Sequence, residues 1–142
     1  MKLFADANIL VAVINREYPA FDSCARILSL ADTPGFRIYC SSLSLGITFY
    51  FAEKKHGRKE ALRRINLLCR HLSISPCSEI EVKKALNYKD VDFEDALQES
   101  SAISAGADAI ITLNQKDFWF SNLNIWHPED FLLRKATGIK QF

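Results

Sequence analysis

The sequence predicts an α/β protein, a three-layer α/β/α sandwich around a central, mostly parallel sheet of about five strands. Segments typical of strands alternate with segments typical of helices along the chain, which favours parallel strands with helices on both faces. Most of the strand segments are short apolar runs, as expected for strands buried on both sides. With 142 residues, 49% of them hydrophobic, the chain can bury one core, so we expect a single domain over residues 1–142.

Five segments have the composition of strands. Residues 3–5 are apolar, and residues 36–40 alternate and are rich in aromatic side chains. Residues 72–75 form a short run that a proline closes. Residues 109–112 are the clearest buried strand of the chain, and residues 124–126 are a plausible last strand.

Helices of the first half are predicted by helical spacing and by end signals. Residues 9–14 remain apolar after the first strand and are expected to turn helical. Pro19 can begin a second helix, whose apolar residues recur at steps of three and four until a Thr-Pro-Gly turn. Ser41 or Ser42 can cap a third helix, which ends near Gly57.

Helices of the second half are predicted in the same way. An apolar stripe with outward-facing arginines predicts a fourth helix, and its members are Leu62, Ile65, Cys69 and Leu72. Ser78 and Glu81 have the spacing of a capping box. Asp92 can cap a helix that continues to about residue 105, and Pro128 can begin the last helix.

The net charge of +1 conceals two segregated stretches. Residues 54–70 hold seven basic side chains against Glu60 alone, and residues 79–99 hold seven acidic side chains against three lysines. A polyanion could bind beside a cation-filled carboxylate site on such a protein. Two solvated helix faces would produce the same pattern, so charge alone does not decide between these readings.

The cysteines and the hydropathy pattern indicate a soluble, cytoplasmic protein. No two of the four cysteines have C-x-x-C spacing, and each lies among apolar residues or on a predicted core face, so we expect buried free thiols in a reducing compartment. The three histidines lie at no ligand-like spacing from them, which disfavours zinc. No apolar stretch reaches membrane-spanning length.

Three aspartates stand where a parallel sheet places its functional residues. Asp6 follows the first strand, Asp117 lies shortly after residues 109–112, and Asp95 lies in the first turn of the preceding helix. Ligands of such sheets bind outside the carboxyl ends of the strands, so we expect the three carboxylates to lie close together. Each aspartate taken alone could instead cap a helix or complement its dipole.

Carboxylates gathered at one place repel each other unless a cation or a proton neutralises them. Oxygen ligands suit Mg²⁺ or Mn²⁺, and such an ion can turn a bound water into a nucleophile that attacks a phosphodiester. The sequence holds neither a G-x-S-x-G elbow nor a P-loop. These observations favour metal-assisted hydrolysis over a side-chain nucleophile.

Three stretches of the chain resemble the signature stretches of PIN-domain nucleases in composition, order and spacing. They are LFADANIL at residues 3–10, DFEDAL at residues 92–97 and TLNQKDF at residues 112–118. The similarity extends from Lys2 to Leu132. It implies a parallel α/β/α sandwich and hydrolysis of RNA with Mg²⁺ or Mn²⁺. Many bacterial members are toxins paired with an antitoxin protein, and homodimers are common among them.

The resemblance also assigns residues. Asp6, Asp95 and Asp117 match the metal-site acids of the family. Supporting polar positions are matched by Asn8, Thr112 and Asn114. PIN nucleases usually carry a further acid, most often Glu, early in the helix after the second strand. That position falls near Gly46 or Ile47 here, and Glu94, beside Asp95, could contribute instead.

The leading hypothesis is therefore a metal-dependent endoribonuclease, with RNA phosphates contacted by Lys54, Lys55, Arg58, Arg63 and Arg64. The missing acid motivates an alternative, a PIN-like module that binds RNA or protein without cleaving. A phosphatase of the Asp-x-Asp type is disfavoured because Asn8 stands in place of its second acid, and a phospho-receiver because no acidic pair lies near Asp6. An aromatic cluster could stack bases, line a dimer interface or pack in the core, and it comprises Phe118, Trp119, Phe120 and Trp126.

Overall fold

A computed structural model describes residues 1–138. The last four residues of the predicted domain, 139–142, lie outside the described residues. The strands are β1 (Lys2–Ala5), β2 (Arg37–Ser41), β3 (Ser73–Ser75), β4 (Ala109–Ile111) and β5 (Asn124–Trp126). The α-helices are α1 (Ala7–Ile14), α2 (Phe21–Ser29), α3 (Ser42–His56), α4 (Arg58–His71), α5 (Glu79–Leu86), α6 (Phe93–Ser104) and α7 (Pro128–Ala136). Two short 3₁₀ turns cover Leu30–Asp32 and Gln115–Phe118.

The five strands form one sheet in the order β3-β2-β1-β4-β5, and every pair of neighbours is parallel. In the register, Leu3 lies opposite Ile38 on one side and Ala109 on the other. The chain fills one half of the sheet with β2 and β3 and then crosses to the other half with β4 and β5. The carboxyl end of β1 is therefore at the switch point, where ligands of open parallel sheets bind.

Helices cover both faces of the sheet, which confirms the predicted three-layer sandwich. Leu3 and Ile111 point to the face on which α1, α2 and α7 pack, in the larger cluster of buried residues. Phe4 and Ile110 point to the other face and contact Ala102 of α6. Alternate residues of each central strand thus enter different apolar layers, and both layers fix the position of β1.

Helix caps agree closely with the predictions. Ser41 accepts a hydrogen bond of 2.9 Å from the backbone N–H of Ser44 and so begins α3. Both halves of the capping box at Ser78 are present, and Asp92 caps α6. The second helix begins at Phe21, two residues later than the proline that was expected to begin it. Side-chain oxygens that satisfy free backbone N–H groups therefore set most helix starts.

The predicted apolar stripe of α4 is correct for Leu72, which is buried just after the helix, and partly for Ile65, which is half-buried, but it is wrong for Leu62 and Cys69. Leu62 is 46% exposed, and the buried residue is Ala61, which packs with Ile14 and Ala52. A small side chain at this position lets α4 lie close to α3, and this close packing turns Leu62 outward. Leu68, rather than Cys69, then faces the core.

The prediction that the cysteines are buried is also partly wrong, for Cys69 because this face of α4 is turned outward. All four are free, and Cys24 and Cys40 are buried as expected, but Cys69 is exposed on α4 and Cys77 is half-buried. Burial raises the pKa of the Cys40 thiol to about 12, so this side chain behaves as a small apolar residue.

Of the helices in residues 1–138, none combines the length and the apolar character needed to cross a membrane.

The packing of β4 can be tested with a matched pair of substitutions. Ile110→Val removes one methylene from a side chain that is fully buried between Phe4 and Ala102. Ile80→Val makes the same change on α5 at a side chain that is 63% exposed. We expect urea denaturation to show a loss of about 0.5–1.5 kcal/mol in the free energy of unfolding for Ile110→Val and little change for Ile80→Val. Equal losses would contradict this packing.

Candidate functional site

Asp6 connects the end of β1 to the start of α1. Its backbone N–H donates to the carbonyl oxygen of Ile111 in β4. Its side chain caps α1, since Oδ1 accepts a hydrogen bond of 2.8 Å from the N–H of Ala7. Oδ2 accepts a hydrogen bond of 2.8 Å from the hydroxyl of Thr112, which follows β4. Both carboxylate oxygens are thus held in place by neighbouring elements.

The environment of Asp6 disfavours its charged form. Burial is the main cause that raises the pKa of this carboxyl, from 3.8 to about 6, and the charges of Glu94 and Asp117 raise it further. The hydrogen bonds from Thr112 and Ala7 act in the opposite direction. A buried carboxylate with acidic neighbours is stabilised by a nearby cation.

The supporting polar residues predicted from the sequence belong to one hydrogen-bond network. The Asn8 amide nitrogen donates to the Thr112 hydroxyl at 3.2 Å, and the Asn8 oxygen accepts from the N–H of Leu113 at 3.2 Å. The N–H of Asn114 also donates to the Thr112 hydroxyl, at 3.1 Å. The carbonyl oxygen of Asn114 accepts from the N–H of Asp117 and so holds the 3₁₀ turn that carries this acid. The network links Asp117 to Asp6.

Asp95 lies in the first turn of α6, where its backbone N–H donates to Asp92 at 3.0 Å. Its side chain is half-buried. The pKa of Asp95 is raised to about 7, and burial is the largest cause. Negative charges nearby raise it further, in the decreasing order Asp92, Asp117, Asp6 and Glu94. The charge of Asp117 thus raises the pKa of both Asp6 and Asp95, and the charge of Asp6 raises that of Asp95. The strong effect of Asp92 was not predicted, because its capping role was the only one considered.

These carboxylates form an open group. Among residues 1–138, no three Asp, Glu, His or Cys side chains converge tightly enough to enclose a metal ion. Mg²⁺ is commonly held by one or two carboxylates, with waters and substrate phosphates completing its shell. The donor set around Asp6 and Asp95 therefore fits a hydrated divalent cation better than a fully dehydrated one.

The start of α3 is uncharged and provides space beside this group. Ser41 and Ser44 donate hydrogen bonds of 2.6 and 3.1 Å to the side-chain oxygen of Gln98, a buried residue one turn after Asp95. A Cβ placed on Gly46 would meet no atom of the described chain within 4 Å. A longer side chain can thus be accommodated near the position where the family usually has its further acid.

Two of the five predicted RNA-contacting residues bind the opposite end of α1. Arg64 donates a hydrogen bond of 2.6 Å to the carbonyl oxygen of Ile14, and Lys55 donates to that of Asn15. An eight-residue helix is about 12 Å long, so these cations lie a helix length from Asp6. They neutralise the negative end of α1.

The other three predicted contacts are more accessible. Lys54 lies over the Tyr50 ring at 4.2 Å, and Arg58 lies 5.9 Å from the ring centre of Phe49. Arg63 forms an exposed ion pair with Glu60. All three remain on the surface of α3 and α4.

A groove of about 440 Å³ lies between α1, α2 and α4. Apolar side chains such as Val13, Ala25 and Leu67 line it, and Arg16 and Arg63 stand at its rim. None of the acids around Asp6 contributes to its lining. This open groove therefore does not coincide with the carboxylate group.

The aromatic cluster divides into buried and exposed members. Phe118 is 1% exposed, and Trp126 packs edge-on against Phe131 at 6.3 Å. Trp119, between Phe118 and Phe120, is 70% exposed. Core packing accounts for Phe118 and Trp126 but not for Trp119.

Comparisons with known proteins identify the family of this chain. A family model described as PIN domain matches residues 2–116, a span that includes Asp6 and Asp95 and ends one residue before Asp117. Ribonuclease VapC1 of Aquifex aeolicus is 28% identical over 143 residues, and the match covers 96% of this chain and 96% of that protein.

Solved structures share the fold. VapBC2 from Rickettsia felis, bound to a DNA fragment from its promoter, has a TM-score of 0.69 at 21% identity and covers 89% of this chain and 98% of that chain. VapBC-1 from nontypeable Haemophilus influenzae has a TM-score of 0.68 at 21% identity, with 91% and 99% covered. Mycobacterium tuberculosis VapC20, described as a sarcin-ricin loop cleaving toxin, has a TM-score of 0.60 at 16% identity, with 76% and 86% covered.

The raised pKa of Asp6 predicts a pH-dependent stability. A carboxyl whose pKa is about 6 when folded and 3.8 in its ordinary state favours folding below about pH 4 and loses that contribution as the pH rises through 6. In urea titrations, the free energy of unfolding of Asp6→Asn relative to that of wild type should therefore increase by about 1–3 kcal/mol as the pH rises from 4 to 8. The exposed Asp22→Asn serves as the control. A difference between Asp6→Asn and wild type that does not vary with pH would contradict the assignment.

Proposed function

The chain belongs to the PIN-domain family, and on that premise we propose that it is an endoribonuclease that hydrolyses RNA phosphodiester bonds. The observation that carries the proposal is the carboxylate group at the switch point of the sheet, where the charge of Asp117 raises the pKa of both Asp6 and Asp95. PIN-domain nucleases generally use divalent metal ions. Mg²⁺ or Mn²⁺ is the cation that we propose here, because both prefer carboxylate and water ligands.

In this proposal, Asp6, Asp95 and Asp117 hold the cation directly or through water, and Glu94 adds negative charge beside them. A divalent cation held there would supply a water of lowered pKa and positive charge beside the phosphate. Thr112 keeps the Asp6 carboxylate oriented by donating to Oδ2. Asn8 fixes the Thr112 hydroxyl in turn. Since burial and neighbouring charges raise the pKa of Asp6 and Asp95, these side chains would hold a cation more weakly as the pH falls below about 7.

Exposed cations on α3 and α4 are proposed to contact RNA phosphates outside the reaction centre. Lys54, Arg58 and Arg63 have accessible side chains, and such contacts make binding weaken as salt increases. Lys55 and Arg64 contribute less in this proposal, because their side chains are engaged with α1.

We also propose that the chain is the toxin of a toxin–antitoxin pair, inhibited by an antitoxin protein, and that it forms a homodimer. Support comes from similarity over nearly the full length to a VapC ribonuclease and from the shared fold with VapBC proteins.

Replacing Asp6 tests the proposed reaction. Asp6→Asn keeps the shape of the side chain but removes the charge that would hold the cation, so we expect Mg²⁺-stimulated RNA cleavage to fall about 100-fold or more. Asp22→Asn, an equivalent change on the exposed surface of α2, should cleave as wild type does. Cleavage of a labelled RNA by purified protein is the measurement. Unchanged cleavage by Asp6→Asn would contradict the assignment.

A second candidate function is a PIN-like module that binds RNA or a protein without cleaving. The observation that favours it is the uncharged start of α3, where Gly46 and Ile47 stand near the family's further acid. This candidate requires that the remaining acids hold no cation at millimolar concentration.

Calorimetry with Mn²⁺ separates the two candidates. For a nuclease we expect saturable binding in the millimolar range, and tighter binding, by about tenfold, when a carboxylate is added by Gly46→Glu or Ile47→Glu. Gln has the shape of Glu without its charge, so the variants Gly46→Gln and Ile47→Gln should bind Mn²⁺ as wild type does. Absence of saturable binding in the wild type would favour the binding module.

A further inference from the structure

The indole of Trp119 is exposed two residues after Asp117 in the chain. It is 70% exposed and directly follows the 3₁₀ turn Gln115–Phe118. Asp117 is two residues before it, so the two Cα atoms lie at most about 7 Å apart. The Asn114 carbonyl, which accepts from the N–H of Asp117, ties this turn to the network around Thr112. The backbone of Trp119 therefore follows directly on a turn that this network ties to the proposed reaction centre.

The ring is supported from one side by a series of aromatic contacts. Phe120 meets Trp119 edge-to-face, with ring centres 6.0 Å apart and planes at 81°. Phe120 in turn packs against Tyr88 at 4.8 Å and against Phe118 at 6.2 Å. Because Phe118 is buried in the core, these contacts hold the indole without covering it. The indole therefore presents a large, planar surface to solvent.

We propose that Trp119 stacks on an unpaired nucleobase of RNA, next to the phosphodiester held at Asp6, Asp95 and Asp117. The proposal rests on the ribonuclease function and deepens it, because it names a residue that positions the substrate. Stacking on an aromatic side chain requires a base that is free of its own helix. The stacked base must therefore be unpaired, and stacking itself depends little on which base it is.

A nucleobase fits this surface better than a second copy of the chain does. The residues from Asn114 to Asp117 in the preceding turn are polar and exposed. The exposed aromatic surface is therefore small, and it comprises the indole and parts of Phe120 and Tyr88. Protein interfaces have a broader apolar centre from which charged residues are depleted. A symmetric contact here would also place the acids of one copy against those of the other.

Binding to a short single-stranded oligoribonucleotide tests the proposal. Measurements use the Asp6→Asn protein in Mg²⁺, so that the strand is not cleaved, and they compare Trp119→Ala with Trp119→Phe in that background. We expect Trp119→Ala to weaken binding roughly 5- to 100-fold and Trp119→Phe to retain most of the affinity. Tyr18→Ala is the matched control, because Tyr18 is 69% exposed and also packs on one ring, that of Phe21 at 5.3 Å.

Strands with one abasic nucleotide identify the partner of the indole. For the protein with Trp119, removal of the base at one position of the strand should weaken binding by a certain factor. Trp119→Ala should weaken binding to the intact strand by the same factor. Trp119→Ala should then cause no further loss on that strand. Affinity that Trp119→Ala leaves unchanged, or a loss that persists on every abasic strand, would overturn the proposal. Conversion of a dimer to a monomer by Trp119→Ala, with RNA affinity retained, would assign the indole to a protein interface instead.

Parallel cleavage assays on the protein with Asp6 intact separate this proposal from the function on which it rests. If the protein cleaves RNA but its affinity for RNA does not change when Trp119 is replaced, only the stacking proposal is overturned. Failure of the wild type to cleave any single-stranded RNA would overturn the ribonuclease function.

Discussion

The hydrogen bond from the Thr112 hydroxyl to Asp6 joins two chain segments that are 106 residues apart in the sequence. It connects the end of β1 to the end of β4 at the point where the chain crosses from one half of the sheet to the other. Asp6 also caps α1, and Thr112 also accepts hydrogen bonds from Asn8 and Asn114. The orientation of α1, the turn that carries Asp117 and the acid itself all depend on this one contact.

Holding Asp6 there has an energetic cost that the rest of the fold offsets. Burial and the nearby acids raise the pKa of Asp6 to about 6 and that of Asp95 to about 7. Two apolar layers, one on each face of the central strands, supply the stability that allows such a group to persist. In the proposed enzyme, a bound cation would offset the burial and the repulsion that make these charged carboxylates unfavourable.

Local patterns were sufficient to predict much of the fold. Apolar runs identified all five strands, and Ser41 and Asp92 marked helix starts because caps depend on adjacent residues. Asp6, Asp95 and Asp117 could be grouped in advance because parallel strands end at the same edge. The outward face of α4 could not be predicted, since it depends on how closely Ala61 approaches α3. The bond between Ser41 and Gln98 joins distant segments and leaves no local signal.

The exposed position of Trp119 was equally inaccessible, because the 3₁₀ turn before it has no apolar period from which burial could be read.

The claim on which the functional interpretation depends is that Asp6, Asp95 and Asp117 share one cation. Anomalous diffraction from crystals soaked in millimolar Mn²⁺ measures this directly. A single strong peak among these three carboxylates is the predicted result. No peak there, or a peak only at other acids, would contradict the claim.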